Sequence, residues 1–275
     1  MRTNEEFENK VAIVTGGGTG IGRETARALI AGGASVVISG RREKILQETA
    51  HELDPSAKRI AWVSGDVSQK SIGEKLTTVA VERFGGVDIL INNAGIFRPT
   101  PFLEHSEADV DAYLGVAVKG PFFASRAAIP EMLKRGGGSI VNVGSIWALI
   151  AVGATPSSAY SAGKAALHTL TRNLAIEFAA QNIRVNAVAP AVVETPVWDT
   201  YLTRQERTDF LVSVNDFHPL RRNGRAEDVV NAILFLASER ASWITGVLLP
   251  VDGGVTSGLP EKTTKVLEFA GAESR

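Results

Sequence analysis

The 275-residue sequence predicts an α/β protein, a doubly wound fold on a central parallel sheet of about seven strands. Two observations carry this. Short β-branched runs alternate with longer segments of helical period, and the runs are apolar nearly throughout, as strands covered on both faces are. In addition, the first run passes directly into a glycine-rich turn and a helix.

The elements follow in order. Strands are expected at "KVAIVTG" (10–16), "ASVVISG" (34–40), "RIAWVSGDV" (59–67), "VDILINNAG" (87–95), "GSIVNVGS" (138–145), "IRVNAVAP" (183–190) and "GVLLPVDGG" (246–254). "GRETARALIAGG" (22–33) has an apolar face and a glycine stop. "AGKAALHTLTRNLAIEFAAQN" (162–182) sets Leu167, Leu170, Leu174 and Phe178 on one stripe. No internal repeat or long linker interrupts the pattern, so one domain over 1–275 is expected. The last twenty or so residues, about 256–275, suit a docking helix and a frayed tail equally.

Composition limits the function. Lys and Arg number 29 against 30 for Asp and Glu, so neither nucleic acid nor an anionic membrane is expected as a partner. The absence of cysteine removes disulfides, thiol nucleophiles and the commonest zinc sites. Four scattered histidines, His51, His105, His168 and His218, suggest surface or satisfied core residues, and no metal site is expected. With no 18-residue apolar run and no leader-like opening, a cytoplasmic protein is the expectation.

The glycine turn has a chemical reading. "TGGGTGIG" (15–22) stands where a dinucleotide pyrophosphate meets backbone N–H groups at a helix start. Gly16 permits the turn, Gly20 the close approach of the phosphates, and Gly22 the packing of helix on strand. "NNAG" (92–95), Ser145 and "AP" (189–190) fall at the same carboxyl edge of the sheet. In "SSAYSAGKAALHTL" (157–170), Tyr160 precedes Lys164 by four residues, one helical turn, which brings Cβ atoms to roughly 5–6 Å. Spacing alone leaves both a catalytic pair and an ordinary helix surface open.

Taken together, "TGGGTGIG", "GDV" (65–67), "NNAG", "GS" (144–145), "YSAGK" (160–164) and "IRVNAVAP" resemble the classical short-chain dehydrogenase/reductase family over about residues 8–255. The resemblance implies a single Rossmann-type domain, a homotetramer, and hydride transfer between a nicotinamide cofactor and a small-molecule ketone or secondary alcohol. It implies Tyr160 as general acid/base, Lys164 as the residue that binds the nicotinamide ribose and lowers the phenol pKa, and Ser145 as the holder of the substrate oxygen. Bringing a phenol from near 10 to about 7 requires about 4 kcal/mol of preferential phenolate stabilisation. Ser145 lies fifteen residues before Tyr160, with "GATPSS" available to absorb the length.

The same resemblance implies a cofactor cradle of Gly16, Gly18, Thr19, Gly20, Ile21, Asp66, Val67, Asn93, Ala94, Gly95, Pro190, Val193 and Thr195, together with Tyr160 and Lys164. At the end of the second strand, Gly40 stands where users of NAD(H) carry an acid, and Arg41 and Arg42 follow. Guanidinium forks suit phosphate, so NADP(H) is expected over NAD(H). Residues 191–222 fall where the family carries its substrate lid, and Phe97, Trp147, Trp198 and Tyr201, with Val152, Leu202, Phe210 and Leu211, are expected against a hydrophobic or alicyclic substrate. Two positions depart from the pattern: Ala117 replaces an Asn that supports a water-linked proton path, and Ala191 replaces a Gly. They keep open a second reading, a non-catalytic NADP-binding sensor or scaffold.

Overall fold

Seven strands form one sheet in the order β3-β2-β1-β4-β5-β6-β7, and all six pairings are parallel. The strands are β1 (Val11–Thr15), β2 (Ser35–Gly40), β3 (Ile60–Ser64), β4 (Ile89–Asn92), β5 (Gly138–Val143), β6 (Ile183–Pro190) and β7 (Leu248–Val251). Our computed structural model describes residues 6–153 and 155–258, so most of the C-terminal tail discussed above lies outside the described residues.

Every expected strand is present, and several end earlier than the sequence suggested. "GDV", the end of "NNAG" and "GS" lie just beyond β3, β4 and β5. Those residues leave the ladder at the carboxyl edge, which frees their backbone and side chains to face a ligand. Strand order reverses between β1 and β4, so β1 and its glycine turn lie at the switch point.

Helices cover both faces: α1 (Gly20–Ala31), α2 (Glu43–Leu53), α3 (Lys70–Phe84), α4 (Glu107–Leu114), α5 (Gly120–Lys134), α6 (Ser158–Phe178), α7 (Arg204–Ser213) and α8 (Ala226–Ala237). Leu29 of α1, Leu46 of α2 and Ile233 of α8 pack with Val36 and Ile38 on one face. Leu76 of α3, Met132 of α5 and Ala175 of α6 pack with Ile13 and Leu90 on the other. Each fully buried Leu or Ile contributes about 1.5–3 kcal/mol relative to exposure. A third cluster lies at the carboxyl edge and joins Ile146, Trp147, Val192, Trp198 and Leu211.

Helix α6 corrects one expectation. Its deepest face is Gly163, Lys164, Leu167, His168, Thr171 and Ala175, whereas Leu170, Leu174 and Phe178 are only half-buried. Small and polar residues face the sheet because a buried polar ladder runs there. Asn92 Nδ2 donates to Asn142 Oδ1 at 2.8 Å, Asn142 Nδ2 to Thr171 Oγ1 at 2.9 Å, and Thr171 Oγ1 to the Leu167 carbonyl at 2.9 Å. The ladder fixes β4, β5 and α6 in mutual register directly below Lys164.

Candidate active site

The turn between β1 and α1 is built for a phosphate. Gly16 and Gly20 adopt φ of +66° and +55°, and a Cβ on Gly22 would stand 2.3 Å from the Gly16 carbonyl oxygen. Asn93 holds the turn, with Nδ2 donating to the carbonyls of Thr15 at 2.9 Å and Gly16 at 3.2 Å. Thr15 Oγ1 in turn accepts from the N–H groups of Asn93 and Ala94. The first turn of α1 has no side-chain cap and no acidic residue, so its amides remain available to an anion.

From this turn a cleft of about 920 Å³ extends in both directions, within the range of ligand sites and near its upper end. Every residue expected to hold cofactor lines it. Arg41 and Arg42 stand exposed on its wall at the end of β2, and their guanidinium groups make no hydrogen bond or ion pair within the described residues. Ser39, which the sequence reading passed over, also lines this end, and its buried Oγ has no partner. A strand pattern gives no signal for that hydroxyl, because whether it is satisfied depends on neighbours far along the chain. Asp66 Oδ1 accepts from Ser68 N at 2.9 Å, which shapes the turn after β3. The free cations at one end, the glycine cradle and the orphaned hydroxyl all fit a dinucleotide.

At the other end, Tyr160 and Lys164 face the cleft from α6. Lys164 is buried; its Nζ donates to the Val143 carbonyl at 2.6 Å and lies 5.9 Å from the centre of the Tyr160 ring. Ser145, itself buried, sits behind the wall formed by Gly144 and Trp147, accepts from Trp147 N at 3.2 Å, and acts on the phenol to lower its pKa. Burial pushes the Tyr160 hydroxyl up to about 12, with Ser145 pulling the other way and Tyr113 adding to the rise. Burial brings Lys164 down to about 8. Desolvation is the largest cause at both groups, since it disfavours phenolate and ammonium alike.

Phe97 is the hub of the aromatic wall. Its ring centre lies 4.9 Å from Tyr160, 5.7 Å from Trp198, 6.3 Å from Tyr201 and 6.5 Å from Trp147, always edge to face. Such pairs contribute about 0.5–1.5 kcal/mol beyond area burial. Phe97, Trp147 and Trp198 line the cleft; Tyr201 does not, and buttresses Phe97 and Trp198 from behind. Val152, Leu202, Phe210 and Leu211 belong to the cluster behind the wall rather than to its surface.

A family model described as enoyl-(acyl carrier protein) reductase matches residues 16–256. The chain belongs to the short-chain dehydrogenase/reductase family. It is an NAD(P)-dependent oxidoreductase. Similar proteins include a cis-4-hydroxycyclohexanecarboxylate dehydrogenase of Sinomonas cyclohexanicum, 40% identical over 92% of this chain and 99% of that protein. A galactitol 2-dehydrogenase (L-tagatose-forming) of Cereibacter sphaeroides is 40% identical over 93% and 98%. The crystal structure of a Brucella melitensis member, described as a glucose/ribitol dehydrogenase, superposes with a TM-score of 0.83 at 33% identity, covering 92% of this chain and 99% of that one.

The two positions that depart from the family pattern both lie near the site, as does one buried histidine. Ala117 lies in a π-helical segment, Gly115–Lys119, between α4 and α5, with its methyl packed toward Gly163 of α6. A π segment offsets the backbone hydrogen bonds at this place. Ala191 lines the cleft directly after β6. His168 is neither a surface nor a satisfied core residue: it is buried beneath Gly144 and neither ring nitrogen has a partner. Burial, then the charges of Lys164 and Arg172, bring its pKa down to about 4.

Proposed function

We propose that the protein is an NADP(H)-dependent dehydrogenase/reductase interconverting a hydrophobic or alicyclic ketone and its secondary alcohol, with Tyr160 as general acid/base. The observation that carries this reading is the Tyr160 phenol, one turn from Lys164, whose Nζ lies 5.9 Å from its ring centre, opening on an aromatic-walled cleft. The bound cofactor supplies or accepts the hydride. Its phosphates suit the glycine turn, a 2′-phosphate suits Arg41 and Arg42, and Thr195, 9% exposed beside Gly20, suits the nicotinamide end.

The chain's own groups perform the proton chemistry. A phenol held up to about 12 is protonated at neutral pH and ready to donate to a carbonyl oxygen that gains charge. Ser145, just behind the wall at Gly144 and Trp147, would offer the same oxygen a second hydrogen bond, one that strengthens as charge develops. Lys164, anchored on Val143, has its remaining N–H bonds for the cofactor ribose and the phenol. In this state the phenol is poised as a proton donor for carbonyl reduction.

Specificity follows from the wall. Lys164, Arg41 and Arg42 are the only cations lining the cleft among the described residues, and none stands with Phe97, Trp147 and Trp198. A hydrophobic ring ketone therefore fits this wall; the relative named for cis-4-hydroxycyclohexanecarboxylate supports the ring, although its own substrate carries a carboxylate. We also propose a homotetramer, since Phe122, Ile176 and Trp243 expose apolar surface that further copies would cover. Light scattering after gel filtration measures it.

The decisive experiment pairs cofactor titration with turnover. NADPH should bind at least about tenfold tighter than NADH, and Arg41→Ala should remove most of the difference. Tyr160→Phe should keep cofactor affinity and lose ketone reduction. Near-normal turnover in Tyr160→Phe would overturn the acid/base assignment, and a wild type that binds NADPH but reduces no ketone would favour a sensor.

A further inference from the structure

Tyr113 belongs to no motif, yet it reaches the active site twice. It is 6% exposed near the end of α4, directly before the π-helical segment. Its hydroxyl accepts from the Arg98 N–H at 3.1 Å and donates to the Arg98 carbonyl at 3.0 Å. A single phenol thus ties both backbone groups of one loop residue.

That loop is otherwise loosely held. Residues 93–101 form no regular element. The next backbone ties lie at Ala94, which donates to Thr15 Oγ1, and at Thr100, which donates to the Pro156 carbonyl. Between them, among the described residues, the only other bond is a long one, 3.4 Å, from Thr100 Oγ1 to the Arg98 carbonyl. Phe97 immediately precedes Arg98 and lies 4.9 Å from the Tyr160 ring. The Tyr113 ring meets Tyr160 from another direction, 6.2 Å away at 76°. The Tyr160 ring therefore contacts both Phe97 and Tyr113 edge-on, and Tyr113 also holds the loop that carries Phe97.

We propose that Tyr113 is a positioning residue that sets substrate fit by holding Phe97 over Tyr160. It acts through Phe97 and contributes no group to the reacting oxygen. This rests on the reading of Tyr160 as acid/base, because the wall matters only where a ketone is held against that phenol. Removal of the hydroxyl frees the Arg98 backbone and lets Phe97 leave its place, while the glycine turn and Lys164 are untouched.

The test is a double-mutant cycle with a structural readout. Tyr113→Phe keeps the ring and should raise KM for a ring ketone about fivefold, as expected for a lost hydrogen-bond pair partly replaced by water, with kcat within about twofold and NADPH affinity unchanged. Phe97→Ala should raise KM as well, and adding Tyr113→Phe to it should change nothing further, since residues acting as a unit are non-additive. Additive effects, or an unchanged KM in Tyr113→Phe, would overturn the proposal. Hydrogen exchange of the 94–104 segment reads the clamp without turnover: the Arg98 amide should exchange about fivefold faster in Tyr113→Phe. Unchanged exchange overturns the proposal on its own. Faster exchange in a protein inert toward every ketone counts for the clamp and against the Tyr160 assignment, so the two failures are distinguishable.

Discussion

Gly40→Asp should convert the cofactor preference. Gly40 closes β2 on the cleft wall beside Arg41, and a Cβ there would stand 3.5 Å from Leu46 Cδ2, an ordinary contact. Its φ is not positive, so an Asp enters without backbone strain. Two unit charges about 5 Å apart at an effective permittivity of about 20 repel by about 3 kcal/mol, which is the scale of the penalty against a 2′-phosphate. The same carboxylate accepts a hydrogen bond from a ribose 2′-hydroxyl, worth about 1.5 kcal/mol. Their sum of about 4–5 kcal/mol corresponds to roughly 10³-fold, and pairing of the introduced carboxylate with Arg41 reduces it toward 10². Fluorescence titration of both cofactors against wild type and Gly40→Asp gives the ratio directly. A swing below tenfold in a folded variant would mean that the adenosine end of the cofactor does not lie beside Gly40, and the charge argument would fail.

Two further substitutions probe the departures. Ala117→Asn adds a hydrogen-bonding side chain next to Gly163, one residue from Lys164, and should raise turnover by less than tenfold while reducing the solvent deuterium isotope effect; overpacking against Gly163 sets a stability cost of about 1–3 kcal/mol. An unchanged isotope effect would show that the proton travels by another route. His168→Leu should stabilise the fold by about 1–3 kcal/mol at pH 7, because two buried nitrogens lack partners. Its pKa is about 4 in the fold against 6.5 for a free imidazole, so between those values the unfolded chain binds the extra proton. Wild type should therefore lose about 3 kcal/mol as pH falls from 6.5 to 4, and the variant should not. Parallel urea-denaturation profiles for the two proteins across that range would refute the argument.

What the sequence made legible follows from the geometry of a parallel sheet. Continuous runs such as "KVAIVTG" and "IRVNAVAP" reveal strands, and a ligand site lies within a few residues of their carboxyl ends, so Gly16, Asn93, Ser145 and Pro190 could be placed from one dimension. One helical turn relates Tyr160 and Lys164, but their spacing left an ordinary helix surface open, and it was the resemblance to the family that singled the pair out. Illegible features depend on contacts between distant segments. The π-helical segment around Ala117 is packed against Gly163, 46 residues later, and no local composition encodes it. Ser39 and His168 look ordinary until their neighbours prove to offer no partner. The height of the Tyr160 pKa belongs to this class as well. A sequence counts the charge four residues away but not the low-polarity surroundings, and here burial is the largest cause of the upward shift. Burial by the protein favours the neutral acid, and a positive charge nearby, from Lys164 and an oxidised nicotinamide, would favour the phenolate instead. Cofactor binding and the protonation of Tyr160 are thereby coupled: oxidised cofactor should release a proton from the phenol that reduced cofactor leaves in place.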